Sequence, residues 1–422
     1  MRARPDFQAA FDAITADEAT IVRDMERLLS CNTSFPPGDG YGAFADLLAP
    51  DLAGLGFACE RVIVPEALWG APFASGERVN VIARRGNDQP VCSLYFHVDT
   101  APAGDGWTRP ALSCTREGRT LYGRGAADMK GTIVAVLAAL RAADRAGVAL
   151  YYAPHLLLCT DEEGGAYPGI RYLAEQGMID GHLLSFNGTA AARIWGGCFG
   201  SMDLRIGIDG YAAHSGEGDG VNAIDAALPV LNALAALKTV VEQRIAAAPG
   251  PKGALYARLN VTAIRGGEKG SAVPGRVELL VNRRYLPEEE SDDVRAEIEA
   301  CVAGALQGGI ARGHDITLAG HLAPVLDPGG SHWPRWQRAL SAGWGFPAEA
   351  FRRWAASSSS DMGWVQRAGI QEILLGGLAK PERRIHGPDE HTTINDITAL
   401  ARSVLLYLAA DFDPDLIPEL IP

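Results

Sequence analysis

Short apolar runs, set off by charged and glycine-rich stretches, divide the chain into alternating elements. Thr15 to Leu29 spaces its apolar residues as an amphipathic helix does, and Tyr41 to Leu55 does so again. Val79 to Ala83 and Val91 to His97 have the length and composition of buried strands. A glycine-rich loop, Tyr122-Gly123-Arg124-Gly125, leads into a helix expected from about Gly131 to Ala146, and a further buried strand follows at His155 to Thr160. Strand, helix and strand in alternation predict an α/β fold, a mostly parallel sheet flanked by helices. Sheets of this kind place their chemistry beyond the carboxyl ends of their strands.

The pattern changes near Gly196-Gly197. Ser201 to Ile208 alternates with period two, Ala223 to Val241 is a long Ala- and Leu-rich helix, and Leu259 to Ile264 and Val277 to Val281 read as strands, before a second helix at Asp292 to Leu306. This predicts a small α+β domain inserted into the larger one. The expected limits are residues 1–198 for the first part of the catalytic domain, 199–320 for the insertion and 321–422 for the return. Ile373 to Leu375 is then a short buried strand and Asn395 to Ala410 a closing helix.

Composition narrows the function classes. With 422 residues, two or three domains are expected, and 47% hydrophobic with 21% charged residues excludes a mainly disordered chain. The best apolar run, Thr132 to Leu140, is about half the ~18 residues of a membrane span. Met1 to Asp6 lacks the apolar core of a signal peptide, so a cytoplasmic address is expected. Seven scattered cysteines without a CxxC pair read as reduced thiols. Against 38 basic residues stand 51 acidic ones, a net charge of -13, and there is no long Lys/Arg run. Small-molecule partners are therefore expected rather than nucleic acid or membrane.

Acidic and imidazole side chains gather where the buried strands end. His97-Val98-Asp99 closes one strand, and residues two apart in an extended chain face the same way, so one can bind a metal while the other orients it. Asp128 sits in the loop before a helix, where an ordinary capping Asp is equally at home. Thr160-Asp161-Glu162-Glu163-Gly164-Gly165 ends another strand. Three consecutive acids beside buried leucines are costly unless a cation compensates them. If the chain stays extended there, Glu162 and Glu163 point in opposite directions. His386 opens a late His-Gly-Pro-Asp-Glu-His run. Taken alone, each feature has a bland structural reading; together, imidazole and carboxylate suit zinc, manganese or cobalt.

The order His97-Val98-Asp99, Gly123 to Gly131, Thr160 to Gly165, Ala212-Ala213-His214-Ser215-Gly216 and His386 to His391 resembles a specific family. It is the metal-dependent amidohydrolase and metallopeptidase family of aminoacylase, acetylornithine deacetylase, succinyl-diaminopimelate desuccinylase and bacterial glutamate carboxypeptidase. The resemblance runs from about Glu18 to Leu408. It implies a zinc-peptidase-like catalytic domain interrupted by a lid and dimerisation domain. It also implies that Asp128 bridges two metal positions, that Glu163 and His386 complete one and His97 the other, that Glu162 is the general base, and that Asp99 orients His97. A cis peptide is expected after the bridging Asp, at Asp128-Met129. His214 resembles the lid histidine that acts on the partner's site in family dimers, and Arg284 the arginine that holds a substrate carboxylate.

Three departures bear on the substrate. The family usually carries Asp or Glu about 24 residues after the ligand Glu, where this chain has Asn187. Asn is neutral and a poorer transition-metal ligand, so one well-formed site for a divalent ion (Mn or Zn), or one tight and one labile site, is expected, and Asn187 is grouped with Arg284 as substrate-contacting. Ser271 stands where the family often has Asn, and Asn282 where Asp is usual. Hydrolysis of a C–N bond by activated water follows from the resemblance. The overall likeness further implies hydrolytic deamination of a nitroaromatic amine, 5-nitroanthranilate to 5-nitrosalicylate. An N-acyl amino acid deacylase or dipeptidase is the alternative, and an inactive metal-binding scaffold the second alternative.

Overall fold

The computed structural model describes residues 7–69, 74–86, 88–164, 166–410 and 412. Met1 to Asp6, which carry the signal-peptide expectation, and Gly165 of the acidic run lie outside the described residues. The chain forms two compact units. The larger comprises Met1–Trp195, Pro328–Arg353 and Trp364–Pro422, and the smaller Gly196–Asp327 and Trp354–Gly363.

Among the described residues, the larger unit is built on six strands in the order Ala58–Ile63, Val79–Arg84, Ala153–Cys159, Val91–His97, His182–Ser185 and Ile373–Leu375. The last three pairings are parallel and the first two antiparallel, so the sheet is mostly parallel with an antiparallel edge. Ala153–Cys159 is buried at every position, as befits an inner strand of an α/β sheet. The helix Lys130–Ala146 is buried almost all round, which explains its nearly unbroken apolar sequence. It packs against Ile394–Leu408, which in turn packs against Trp333–Trp344. Gly147 ends it in the left-handed conformation at φ 66, with its N–H turned back to the Asp144 carbonyl.

One element differs instructively from the sequence pattern. The stretch read as one helix, Thr15 to Leu29, takes in the end of one helix, Phe7–Ala16, and most of a second, Glu18–Ser30. They meet at buried Asp17, whose carboxylate accepts hydrogen bonds from Arg141 and Arg145, each at 3.1 Å. Ion pairing to a neighbouring helix outweighs continuation of the apolar repeat.

The smaller unit is an antiparallel sheet in the order Arg258–Gly266, Arg276–Tyr285, Gly200–Asp209 and Gly313–Leu322. Inward residues of the two middle strands, Leu204, Ile206, Ile208, Val277, Leu279 and Val281, join Val230 and Ile298 of two helices in one core. Those helices, Ala223–Val241 and Ser291–Leu306, pack on each other. By length and composition Ala223–Val241 is apolar enough to cross a membrane. Here its Ala226, Ala227, Val230 and Leu234 face the unit's own core. Gly313–Leu322 escaped the sequence reading because it is a half-exposed edge strand with little apolar signal.

The limits read from sequence, 198 and 320, fall close to the observed ones but miss two features. The chain stays with the smaller unit to Asp327, because Cys198 and Val325 exchange main-chain hydrogen bonds, both 3.0 Å. Trp354–Gly363 re-enters it, with Ala355 N–H donating to Pro249 O at 2.9 Å and Ala356 O accepting from Phe199 N–H at 3.1 Å.

Candidate metal centre

Three parallel strands deliver their following residues to one edge of the large sheet: Val91–His97 ends on His97, Ala153–Cys159 leads to Glu162 and Glu163, and His182–Ser185 leads to Asn187. His97 is fully buried. Its Nδ1–H donates to the Asp99 main-chain oxygen at 3.0 Å, which leaves Nε2 turned to Asp128 Oδ1 at 3.1 Å. The Asp99 carboxylate has a further task. Its Oδ2 accepts the Glu163 N–H at 2.8 Å, while Oδ1 stays 3.7 Å from His97 Nδ1. Asp99 therefore orients His97 chiefly through its carbonyl and fixes Glu163 through its side chain.

Asp128 precedes a cis peptide to Met129, as the resemblance implied. Its two oxygens face different imidazoles, Oδ1 that of His97 and Oδ2 that of His386 at 3.4 Å. Glu163 Oε2 lies 2.9 Å from His386 Nε2, and Oε1 also accepts the Ala101 N–H at 3.0 Å. His386 itself is half-exposed, on a loop where it takes φ 62. One ligand atom each from His97, Asp128 and Glu163 lies within 4.8 Å of the others.

The extended conformation expected through Glu162 and Glu163 does not occur. The chain turns at Asp161, φ 61, and the two glutamates that follow meet different partners, Glu162 the Asn187 amide and Glu163 the His386 imidazole. A left-handed non-glycine residue needs support from its surroundings. Asp161 has it: its carboxylate accepts the Tyr41 hydroxyl at 2.7 Å and Arg78 Nε–H at 2.8 Å, with all three side chains buried. The Arg78 guanidinium lies 4.5 Å from the Trp69 ring centroid. Neither Arg78 nor Tyr41 stood out in the sequence; Asp161 did, as the first of three acids at a strand end.

Asn187 Nδ2–H donates to Glu162 Oε1 at 2.7 Å. An ionised carboxylate only accepts, so the amide nitrogen must face it. The larger unit thus brings His97, Asp99, Asp128, Glu162, Glu163, Asn187 and His386 to one edge. His214 and Arg284 belong to the smaller unit. His214 lies on the short strand Ala213–His214, paired with Ala272, and is exposed, its Nδ1 accepting the Gly216 N–H at 3.2 Å. Arg284 Nη1 donates to Ser359 Oγ at 2.9 Å. Asn282 bonds across the sheet to Asp203 Oδ1 at 2.7 Å. Ser271 O accepts the Ser215 N–H next to His214 at 3.1 Å.

The electrostatics follow from this crowding. Burial alone would lower the His97 imidazole, but Asp128, Glu162 and Asp99 hold it well above the ordinary histidine value. Asp128 and Glu163 push His386 up to about 10. Burial would raise Asp128, but His386 and His97 hold it well below the carboxylate range. Burial pushes Asp99 up to about 7. Protons between imidazole nitrogen and carboxylate oxygen stand where a divalent cation would. Two imidazoles and two carboxylates, one carboxylate shared, are a fitting donor set for zinc or manganese.

The chain matches the model of "Peptidase family M20/M25/M40" over residues 93–410. It is 31% identical to a succinyl-diaminopimelate desuccinylase of Acidiphilium cryptum over 328 residues, 74% of this chain and 79% of that protein. A desuccinylase of Halorhodospira halophila is 29% identical over 367 residues, 82% of this chain and 90% of that one. The di-peptidase Dug1p of Saccharomyces cerevisiae shares the fold, with TM-score 0.75 and 15% identity over 96% of this chain and 98% of that one.

A raised histidine pKa stabilises the folded state below the unfolded value and ceases to do so above the folded one. For His386 that window runs from 6.5 to about 10. The metal-free protein is expected to lose thermal stability as pH rises through this window, and His386→Ala to flatten the decline. Scanning calorimetry in chelator checks this; a wild-type melting temperature unchanged across the window contradicts it.

Proposed function

Because the chain belongs to peptidase family M20/M25/M40, and is thereby a metallohydrolase acting on C–N bonds, we propose that it works with one tightly held divalent ion, manganese or zinc, on a small carboxylate-bearing substrate. The finer reading is hydrolytic deamination of a nitroaromatic amine of the 5-nitroanthranilate type. The observation that carries it is the bond from Asn187 Nδ2 to Glu162 Oε1. Where a carboxylate would complete a second metal position, this chain has a neutral amide engaged with the base.

Asp128, Glu163 and His386 would hold a divalent ion, which would serve there as a Lewis acid and lower the pKa of water from 15.7 toward about 7. Glu162 accepts the proton from that water and passes it to the leaving nitrogen, one carboxylate serving both steps. Asn187 holds Glu162 in place for this transfer. His97, locked by Asp99 O, keeps Asp128 oriented. In the ring reading, water oxygen bonds to the carbon bearing the amine, the C–N bond breaks, and ammonia leaves with the proton from Glu162. Negative charge spreads into a para nitro group during attack, so the substrate carries its own electron sink and a second cation is not needed. The ortho carboxylate suits a two-pronged arginine partner.

The second reading, cleavage of an acyl amino acid or dipeptide, is supported by the desuccinylase names of the relatives and the di-peptidase name of the structural neighbour. Purified protein with Mn²⁺, offered 5-nitroanthranilate, N-succinyl amino acids and dipeptides, separates the two. Loss of arylamine absorbance with release of ammonia is expected. Ninhydrin-positive product from the acyl or peptide substrates alone overturns the finer reading. In either case Glu162→Gln is expected to lower turnover about a thousandfold while Mn²⁺ still binds; unchanged turnover removes Glu162 as the base.

We also propose a homodimer in which His214 stabilises negative charge at the partner's site. Ile224, Leu228 and Val240, exposed on the helix Ala223–Val241, support a second copy as the cover of this surface. Mixing His214→Ala chains with Glu162→Gln chains is expected to restore part of the activity in hybrid dimers. Absence of recovery contradicts action in trans.

A further inference from the structure

We propose that Glu390 is a positioning residue that sets the separation of Asp128 and His386, and through it the grip on the metal. Glu390 lies on the segment that carries His386, yet its carboxylate is spent on the loop that carries Asp128. It is wholly buried, as is Arg124. Oε1 accepts the main-chain N–H groups of Ala127 at 3.0 Å and Asp128 at 3.1 Å. Oε2 accepts Arg124 Nη1–H at 2.6 Å and Gly125 N–H at 3.2 Å. The Glu390 main-chain oxygen takes a fifth donor, Gly123 N–H, at 2.9 Å. One residue therefore joins two loops more than 260 positions apart, and one of its bonds ends on the N–H of the shared ligand itself.

The flanking residues complete the tie. Asp389, at φ 56, accepts Thr108 N–H at 3.0 Å and Thr108 Oγ–H at 2.9 Å. On the other side His391–Thr393 pairs with Thr120–Tyr122, His391 opposite Tyr122. The chain is thus fixed immediately after the arc that presents His386. Burying a carboxylate for packing alone is unfavourable, since apolar side chains of similar volume do as well or better. A carboxylate here does what an apolar group cannot: it gathers four donors that define the path of residues 124–128. Glutamine cannot replace it, because its NH₂ group would face either two main-chain N–H groups or Arg124 and Gly125 N–H.

The inference rests on the metal centre and not on the substrate reading, so its test uses metal without substrate. Full-length Glu390→Gln, and the double variant Glu390→Gln/Arg124→Gln that removes both buried charges, are titrated with Mn²⁺ by calorimetry. Both are also loaded with Co²⁺ for visible absorption. The expected result is Mn²⁺ binding weakened roughly 10- to 100-fold, with an altered Co²⁺ spectrum, in at least one variant whose metal-free form still melts cooperatively. Folded variants that keep wild-type Mn²⁺ affinity and the wild-type Co²⁺ spectrum overturn the proposal. So does failure of both variants to fold, which would assign the pair to stability alone.

Discussion

The centre depends on one unfavourable arrangement made tolerable: Asp128 is shared between two imidazoles while Glu162, Glu163 and Asp99 crowd beside it at the end of a buried sheet. Like charges at this spacing, partly removed from water, repel one another strongly. Protonated imidazoles answer the repulsion in the metal-free protein, and a divalent cation would answer it in the same place. The pKa shifts of His97, His386 and Asp128 are three expressions of this balance.

Holding such a cluster in register takes a rigid frame behind it. Asp161 is pinned by Tyr41 and Arg78 where the chain turns ahead of the two glutamates. Glu390 is pinned by Arg124 and the loop of Asp128. Asp99 holds His97 with its carbonyl and Glu163 with its carboxylate. Buried polar networks of this kind are costly when half satisfied and rigid when complete. Here they tie strand ends together that are far apart in sequence, and the chemistry is placed by them rather than by the strands alone.

Much of this was legible in the chain. The strands Val91–His97 and Ile373–Leu375 and the helix Ala223–Val241 occupy the residues their apolar patterns indicate, because burial dictated their composition. The resemblance, spread over five motifs, pointed to His97, Asp128, Glu163 and His386, and the fold brings these four side chains together. Features decided by tertiary partners were not. The helix break at Asp17 answers to Arg141 and Arg145, and the turn at Asp161 to Tyr41 and Arg78. Asn187 was read as a lost ligand; that its amide faces Glu162 could come only from the fold. Half-exposed edge strands such as Gly313–Leu322 leave no clear period.

The most direct test of the account is anomalous diffraction from crystals soaked in Mn²⁺, recorded on both sides of the manganese absorption edge. One strong peak per chain is expected among Asp128, Glu163 and His386, with at most a weak one beside His97. Two peaks of equal height would contradict the role given to Asn187, and the absence of any peak among these side chains would contradict the metal centre itself.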